Sequence, residues 1–415
     1  MNTSDIRTNI DNPRELEKLY RENKAAFKTE FNSLYPQLTD HKLAGYWNER
    51  LNFETPEINW GSRNEIIFVI ITALLAGIIA KLPAFLDIDP ELFYQRNIGF
   101  IVFPVLTFYF IRRNNFPLKT ILFAGLVTLI ASVFINLLPA NDKSDTLLLS
   151  CIHLPLLLWS VMGISYTGDR VKDHEKRIEF LKFNGDLVIM STIMVISGAI
   201  LTAITIGLFG VIGFDIEKFY TEYIGIFGLA AVPVVGTYIV QTNPQLVNKV
   251  SPVIARIFSP LVLIMLVVYL VAMFFSGKDP YKDRDFLMIF NLLLIGVMAI
   301  ILFSVAGTIN KNLSRAGSSI LLALSTVTII VNGIALSAIL FRISEWGMTP
   351  NRLAILGANL LMLANLLMVT FRLFKYVFKK SASSDVASAI SMFLPVYLLW
   401  SILVTFVFPF IFQFR

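Results

Sequence analysis

From Glu65 to the last residues the chain is a succession of apolar runs, most close to twenty residues long, joined by short polar connections. Hydrocarbon offers no water to an exposed N–H or C=O, so a run of this kind must be a helix that satisfies its own backbone. Crossing a core of ~30 Å at 1.5 Å per residue takes roughly 20 apolar residues. The segments that fit are 66–86, 95–111, 118–138, 146–166, 186–212, 224–241, 256–275, 286–306, 318–341, 353–374 and 389–411. The sequence therefore predicts an all-α, polytopic transmembrane helix bundle of about eleven spans over residues 64–415. Composition agrees, with 56% hydrophobic against 15% charged residues.

Residues 1–63 read differently. Asn12-Pro13-Arg14-Glu15 supplies a cap, a proline at the first helical position and an acid two residues further on. Leu16, Leu19, Tyr20, Phe27, Phe31 and Leu34 then share one helical face. Glu17 with Arg21 and Lys18 with Glu22 form i,i+4 pairs on the other. Pro36 ends this helix, and Thr39 or Asp40 can cap a second that carries Leu43, Trp47 and Leu51. The expectation is a short soluble helical hairpin followed by a linker over Asn52–Ser62, with Trp60 at the membrane interface. The polar N-terminus has no apolar h-region, so 66–86 is expected to be the first inserting segment.

Lys and Arg concentrate in alternate loops, most densely over Thr167–Phe183 and Phe371–Lys380. Placing those loops inside puts residues 1–63 in the cytoplasm and the last residue outside. The formal charge of +6 is then the usual loop excess. No basic patch interleaved with aromatics points to nucleic acid. Cys151 is the only cysteine, which rules out an internal disulfide and a thiolate metal cluster.

Ionisable groups at membrane depth are costly and usually functional, and this chain places few there. His153 lies inside a span, two residues before Pro155, where its ring can satisfy a carbonyl freed by the proline. Asn136, Asn291, Asn332, Asn359 and Asn365 are the other intramembrane polar candidates. They can line a path for a neutral solute or simply join helices, at about 1 kcal/mol or less per bond. Ala199, Ala203, Gly207, Gly210 and Gly213 form a small-residue ladder suited to close helix packing. His174-Glu175 lacks a second His at i+4, and no phosphate-binding or dinucleotide fingerprint occurs. No catalytic group, cofactor or metal site is expected.

The most distinctive string is Arg342-Ile-Ser-Glu345-Trp346-Gly347-Met-Thr349-Pro350-Asn-Arg352. Gly347 suits a left-handed C-cap, Thr349 an N-cap and Pro350 the first turn of the next helix. Glu345 can pair with Arg342 or Arg352, and Trp346 suits an interface. Two readings stand: a well-capped helical turn, or a ligand or headgroup site built from the two arginines. An aliphatic span ending in Arg-Ile, followed by Glu-aromatic-Gly-x-Thr-Pro-x-Arg, resembles the bacterial membrane proteins grouped as domain of unknown function 4153. Val253–Phe275 and Phe286–Phe303 are similar to the same family. The resemblance implies a multi-pass bacterial inner-membrane protein and carries over no substrate or catalytic residue.

Two functions follow. The first is a non-enzymatic protein that acts through partners as a sensor, regulator or assembly factor, held in the lipid bilayer and contacting a protein through its N-terminal hairpin. The second is a transporter or permease for a small neutral or lipid-like solute.

Overall fold

The computed structural model describes residues 3–22, 24–38, 41–52, 60–114, 116–139, 141, 143–211, 215–246, 250–275, 281, 294–301, 303–304, 315–378 and 382–415. No β-strand occurs among them. The chain divides into two compact units, Met1–Asn59 and Trp60–Arg415.

Among its described residues the first unit has four helices where the hairpin expectation had two: α1 (Thr3–Thr8), α2 (Pro13–Glu22), α3 (Lys24–Leu34) and α4 (Lys42–Asn52). The apolar stripe foreseen as one helix is shared between α2 and α3. α2 starts where the capping residues placed it, with Asn12 Oδ1 accepting from the Glu15 N–H at 3.4 Å. Pro36 lies in a 3-10 turn, Tyr35–Gln37, directly after α3. Ile6, Leu16, Phe27, Phe31, Ala44 and Trp47 close a core of their own. Tyr20 and Phe27 both pack edge-on or tilted against Trp47, at 5.5 and 5.1 Å between centroids. On the wet side Glu17 accepts from Arg21 Nε at 2.9 Å and pairs with Arg50 of α4 at 2.7 Å. Those two bonds, Arg21 first, hold the Glu17 carboxyl below its ordinary range. Lys18 pairs with Glu15 at 3.7 Å. Thr39 and Asp40 lie outside the described residues.

The second unit is built from α5 (Arg63–Leu86), α6 (Pro90–Arg113), α7 (Leu118–Leu137), α8 (Asp145–Thr167), α9 (His174–Val211) and α10 (Glu217–Thr242). There follow α11 (Val250–Phe275), α12 (Arg315–Trp346), α13 (Pro350–Val377), α14 (Ser383–Ser391), α15 (Leu394–Ile402) and α16 (Phe408–Ile411). Among the described residues eight helical stretches are long and apolar enough to cross a membrane, so the unit has the make-up of a multi-pass membrane protein. The remaining three expected spans are not among those eight. The 95–111 segment is helical as α6, but Arg96 and Asn97 interrupt its apolar run. The 256–275 segment lies wholly within the 26-residue helix α11, and most of 286–306 lies outside the described residues.

Packing follows the small residues that lie between helices. Gly357 of α13 faces Trp400 of α15 so closely that an added Cβ would sit 2.0 Å from the ring. Gly77 of α5 admits Phe227 of α10 in the same way, at 2.2 Å. The expected ladder on α9 is not of this kind. Ala199, Ala203 and Gly207 are exposed, and a Cβ on Gly207 would meet nothing within 4 Å.

Two helices contain a π-turn. Tyr220–Gly225 lies within α10, and Leu403–Val407 joins α15 to α16. A wider turn leaves carbonyls without their usual donor. In each case a side chain from another helix fills the gap. Lys81 Nζ of α5 donates to the Glu222 carbonyl at 2.9 Å, and Ser150 Oγ of α8 donates to the Thr405 carbonyl at 2.9 Å.

Candidate functional site

The 342–352 string folds as a capped turn between α12 and α13. Gly347 takes φ +76° and donates its N–H to the Ile343 carbonyl at 3.0 Å. Thr349 Oγ1 accepts from the Arg352 N–H at 3.3 Å, with Pro350 in the first turn. Arg352 Nη1 reaches back to the Trp346 and Gly347 carbonyls at 2.9 and 2.7 Å, closing the end of α12. Arg342 is 9% exposed and its Nε donates to the Tyr281 carbonyl at 3.0 Å. Trp346, 52% exposed, has a guanidinium 5.7 Å from its ring on behalf of each arginine. Glu345 is exposed and forms an ion pair with neither arginine. The arginines here serve the backbone and the tryptophan, and the pairing expected of Glu345 is absent because both forks are directed elsewhere.

The intramembrane polar candidates separate. His153 Nδ1 lies 2.9 Å from the Leu149 carbonyl, four residues back on its own helix. Proline 155 frees the carbonyl of Cys151 instead, so the histidine does not serve the proline's gap. Asn332 and Asn359 are fully buried and joined, Nδ2 of the first donating to the carbonyl of the second at 3.3 Å. Asn365 donates to Tyr397 Oη at 3.1 Å. The Oδ1 atoms of Asn332 and Asn365 have no hydrogen-bond partner among the described residues. Asn136 exchanges both amide bonds with Asn97, at 2.8 and 3.0 Å. Asn291 lies outside the described residues. Among the described residues no three His, Cys, Asp or Glu side chains gather as metal ligands.

Two buried cations have structural posts. Arg96, 6% exposed, turns its guanidinium on the end of α7 and donates to the Ile135, Asn136 and Leu138 carbonyls at 3.0–3.2 Å. Lys81, 4% exposed, lies 3.7 Å from the Glu222 carboxylate and 4.3 Å from the Tyr223 ring centroid. Arginine at a helix C-terminus completes the orphan carbonyls and complements the dipole.

A site that local sequence reasoning missed lies where α5 begins and α6 and α10 end. Glu65, Phe68, Val69, Tyr109, Arg112, Arg113 and Tyr238 line a pocket of about 210 Å³. Glu65 is committed to its helix start, accepting from the Ser62 N–H at 2.8 Å and from Ser62 Oγ at 3.1 Å. Arg112 lies over the Phe68 ring at 4.1 Å. Arg113 donates to Tyr109 Oη at 3.4 Å and to the Gln241 carbonyl at 3.3 Å. Tyr238 Oη donates to the Trp60 carbonyl. Gly61, at φ +69°, leaves room for that hydroxyl, since a Cβ there would approach Tyr238 Oη to 2.1 Å. Arg112 and Arg113 were legible as basic residues at a span end, but their convergence on Glu65 and Tyr238 comes from long-range packing.

No family model, curated protein or solved structure matches this chain.

Proposed function

We propose that this is a multi-pass inner-membrane protein that works through a protein partner, with the N-terminal unit on the cytoplasmic side as its handle. The observation that carries this reading is the independence of Met1–Asn59, whose helices close a core around Phe27, Phe31 and Trp47. A segment that only led into the first span would not need such a core. The buried charges of the larger unit support the same reading. Lys81, Arg96 and Arg342 all donate to backbone carbonyls, which commits them to holding helices rather than to passing ions. The resemblance of the 342–352 string to domain of unknown function 4153 favours a bacterial inner membrane. The deciding experiment is co-purification from native membranes of the full chain beside a chain lacking residues 1–60. A partner kept by the first and lost by the second is the expected result. Both forms emerging alone, with equal thermal stability, would overturn the reading.

One observation favours transport of a neutral solute as a second reading. The unpartnered Oδ1 atoms of Asn332 and Asn365 are acceptors in search of a donor inside an apolar bundle. A solute that raises the melting temperature of wild type but not of Asn332→Leu would support it.

A further inference from the structure

The pocket at the start of α5 shares a wall with a second cavity. Val69 lines it, and Val69 also lines a larger apolar groove of about 560 Å³ between α5 and α10. The groove runs along Ile70, Ala73 and Leu74 on one wall and Phe227, Gly228 and Ala231 on the other. Its α10 wall extends from Tyr223 to Val235, a rise of about 18 Å at 1.5 Å per residue. Half of a ~30 Å hydrocarbon core is about 15 Å, so the groove has the length of one leaflet. Tyr238, one turn beyond Val235, belongs to the polar pocket, so a single face of α10 passes from groove to pocket.

The occupant is set by charge and by depth. Arg112 and Arg113 bring two positive charges to the pocket, and Glu65 brings one negative charge already satisfied by Ser62. Both arginines are exposed, and both end α6 beside the start of the apolar helix α5, where a span that begins at Arg63 would meet the headgroups. Two guanidiniums beside tyrosine hydroxyls suit a phosphate, whose oxygens accept paired N–H bonds. A neutral solute would leave the pocket's excess positive charge unmatched, and a free anion would leave the groove empty. We infer that the structure holds a specific site for an anionic glycerophospholipid, with its phosphate on Arg112 and Arg113 and one acyl chain in the α5–α10 groove. This site stands apart from the partner and transport readings and survives the failure of either.

The test uses the full chain purified in mild detergent, with phosphatidylglycerol or phosphatidylcholine added at equal concentration. Bound lipid is counted by native mass spectrometry, and the melting temperature is read in parallel. Wild type is expected to bind phosphatidylglycerol at least tenfold more tightly and to be stabilised by it. Arg112→Gln with Arg113→Gln is expected to abolish that preference, while the double Lys variant keeps most of it. Ala231→Phe, which fills the groove, is expected to weaken phosphatidylglycerol binding with both arginines in place. Inorganic phosphate at millimolar concentration is expected neither to stabilise the protein nor to displace the lipid. Equal binding of the two lipids by wild type would overturn the inference. So would a preference that survives the double Gln variant, binding indifferent to Ala231→Phe, or displacement by phosphate alone. A double Gln variant that fails to fold leaves the Lys pair and Ala231→Phe to decide.

Discussion

At the scale of single residues, the 342–352 turn shows which parts of a motif carry weight. Gly347 occupies the left-handed region, where a Cβ costs about 1 kcal/mol or more. Gly347→Ala is therefore expected to lower the melting temperature of the full chain. Arg352→Gln is expected to do so as well, by stripping two carbonyls at the end of α12 of their donor. Glu345→Gln is expected to change the melting temperature by less than the scatter of the measurement, because the carboxylate holds neither arginine. A loss from Glu345→Gln equal to that from Arg352→Gln would mean that the acid does bond within the turn. The capping roles of Gly347, Thr349 and Pro350 were legible because a cap is settled by neighbours within a few residues. The direction of Arg352 was not, because a flexible fork has several acceptors within reach. The same reason separates His153 from its expected role: the ring is near Pro155 in sequence, yet it takes the Leu149 carbonyl.

At the scale of elements, helix starts and stops were written locally, and what completes them comes from afar. Ser62 and Glu65 form a reciprocal capping box that can be read from four consecutive residues. The end of α7 has no such local device, and Arg96, some forty residues earlier, supplies it. Replacing Arg96 with Met leaves three carbonyls without a donor and is expected to destabilise the protein by about 3 kcal/mol. Arg96→Lys is expected to recover less than half of that, since an ammonium cannot fork across several acceptors. Thermal unfolding of the two variants in one detergent checks both statements. The π-turns are a stronger case, for their fillers, Lys81 and Ser150, lie 141 and 255 residues away. No local pattern signals such a turn. In the N-terminal unit the Glu17–Arg21 pair was legible as i,i+4, whereas its link to Arg50 of α4 required the packed unit. Glu17 has a lowered pKa in the folded chain, so its contribution is present above the ordinary Glu range, near pH ~4.3, and fades as pH falls through the folded value. Hydrogen exchange is expected to show α2 and α4 losing protection on acidification below about pH 4. The loss should be smaller in Glu17→Gln, which has no proton to gain; an equal loss in both would remove Glu17 from the account.

For the whole molecule, hydropathy gave the class and the order of the helices, and the number of crossings is open to direct test. The Thr146 N–H donates to the Arg415 carbonyl at 2.9 Å, and Ser144 Oγ to the Phe414 carbonyl at 3.0 Å. Residue 415 therefore lies beside the connection between α7 and α8. Arg112 and Arg113, at the end of α6, return to the start of α5 in the shared pocket, so α6 runs back across the unit. Residue 415 therefore lies at the same end of the unit as the end of α7. Eleven crossings, as the apolar segments predict, would put Arg63 and Arg415 on opposite sides of the membrane, whereas the eight clearly apolar helices alone would put them on the same side. The predicted total of eleven takes in α6, α11 and the 286–306 run, most of which lies outside the described residues. Cysteine labelling tests this directly, because the one native thiol, Cys151, is buried and can be replaced by serine. Lys143, Lys172 and Met348 are exposed at connections between helices. With Cys introduced singly at each, an impermeant maleimide applied to intact cells is expected to label positions 143 and 348, and position 172 only after permeabilisation. Labelling of 348 together with 172 would remove one crossing between α8 and α12, where 286–306 lies. The reverse of the whole pattern would keep the odd count and turn the protein over in the membrane, placing the N-terminal unit and the Arg112–Arg113 pocket on the outer face.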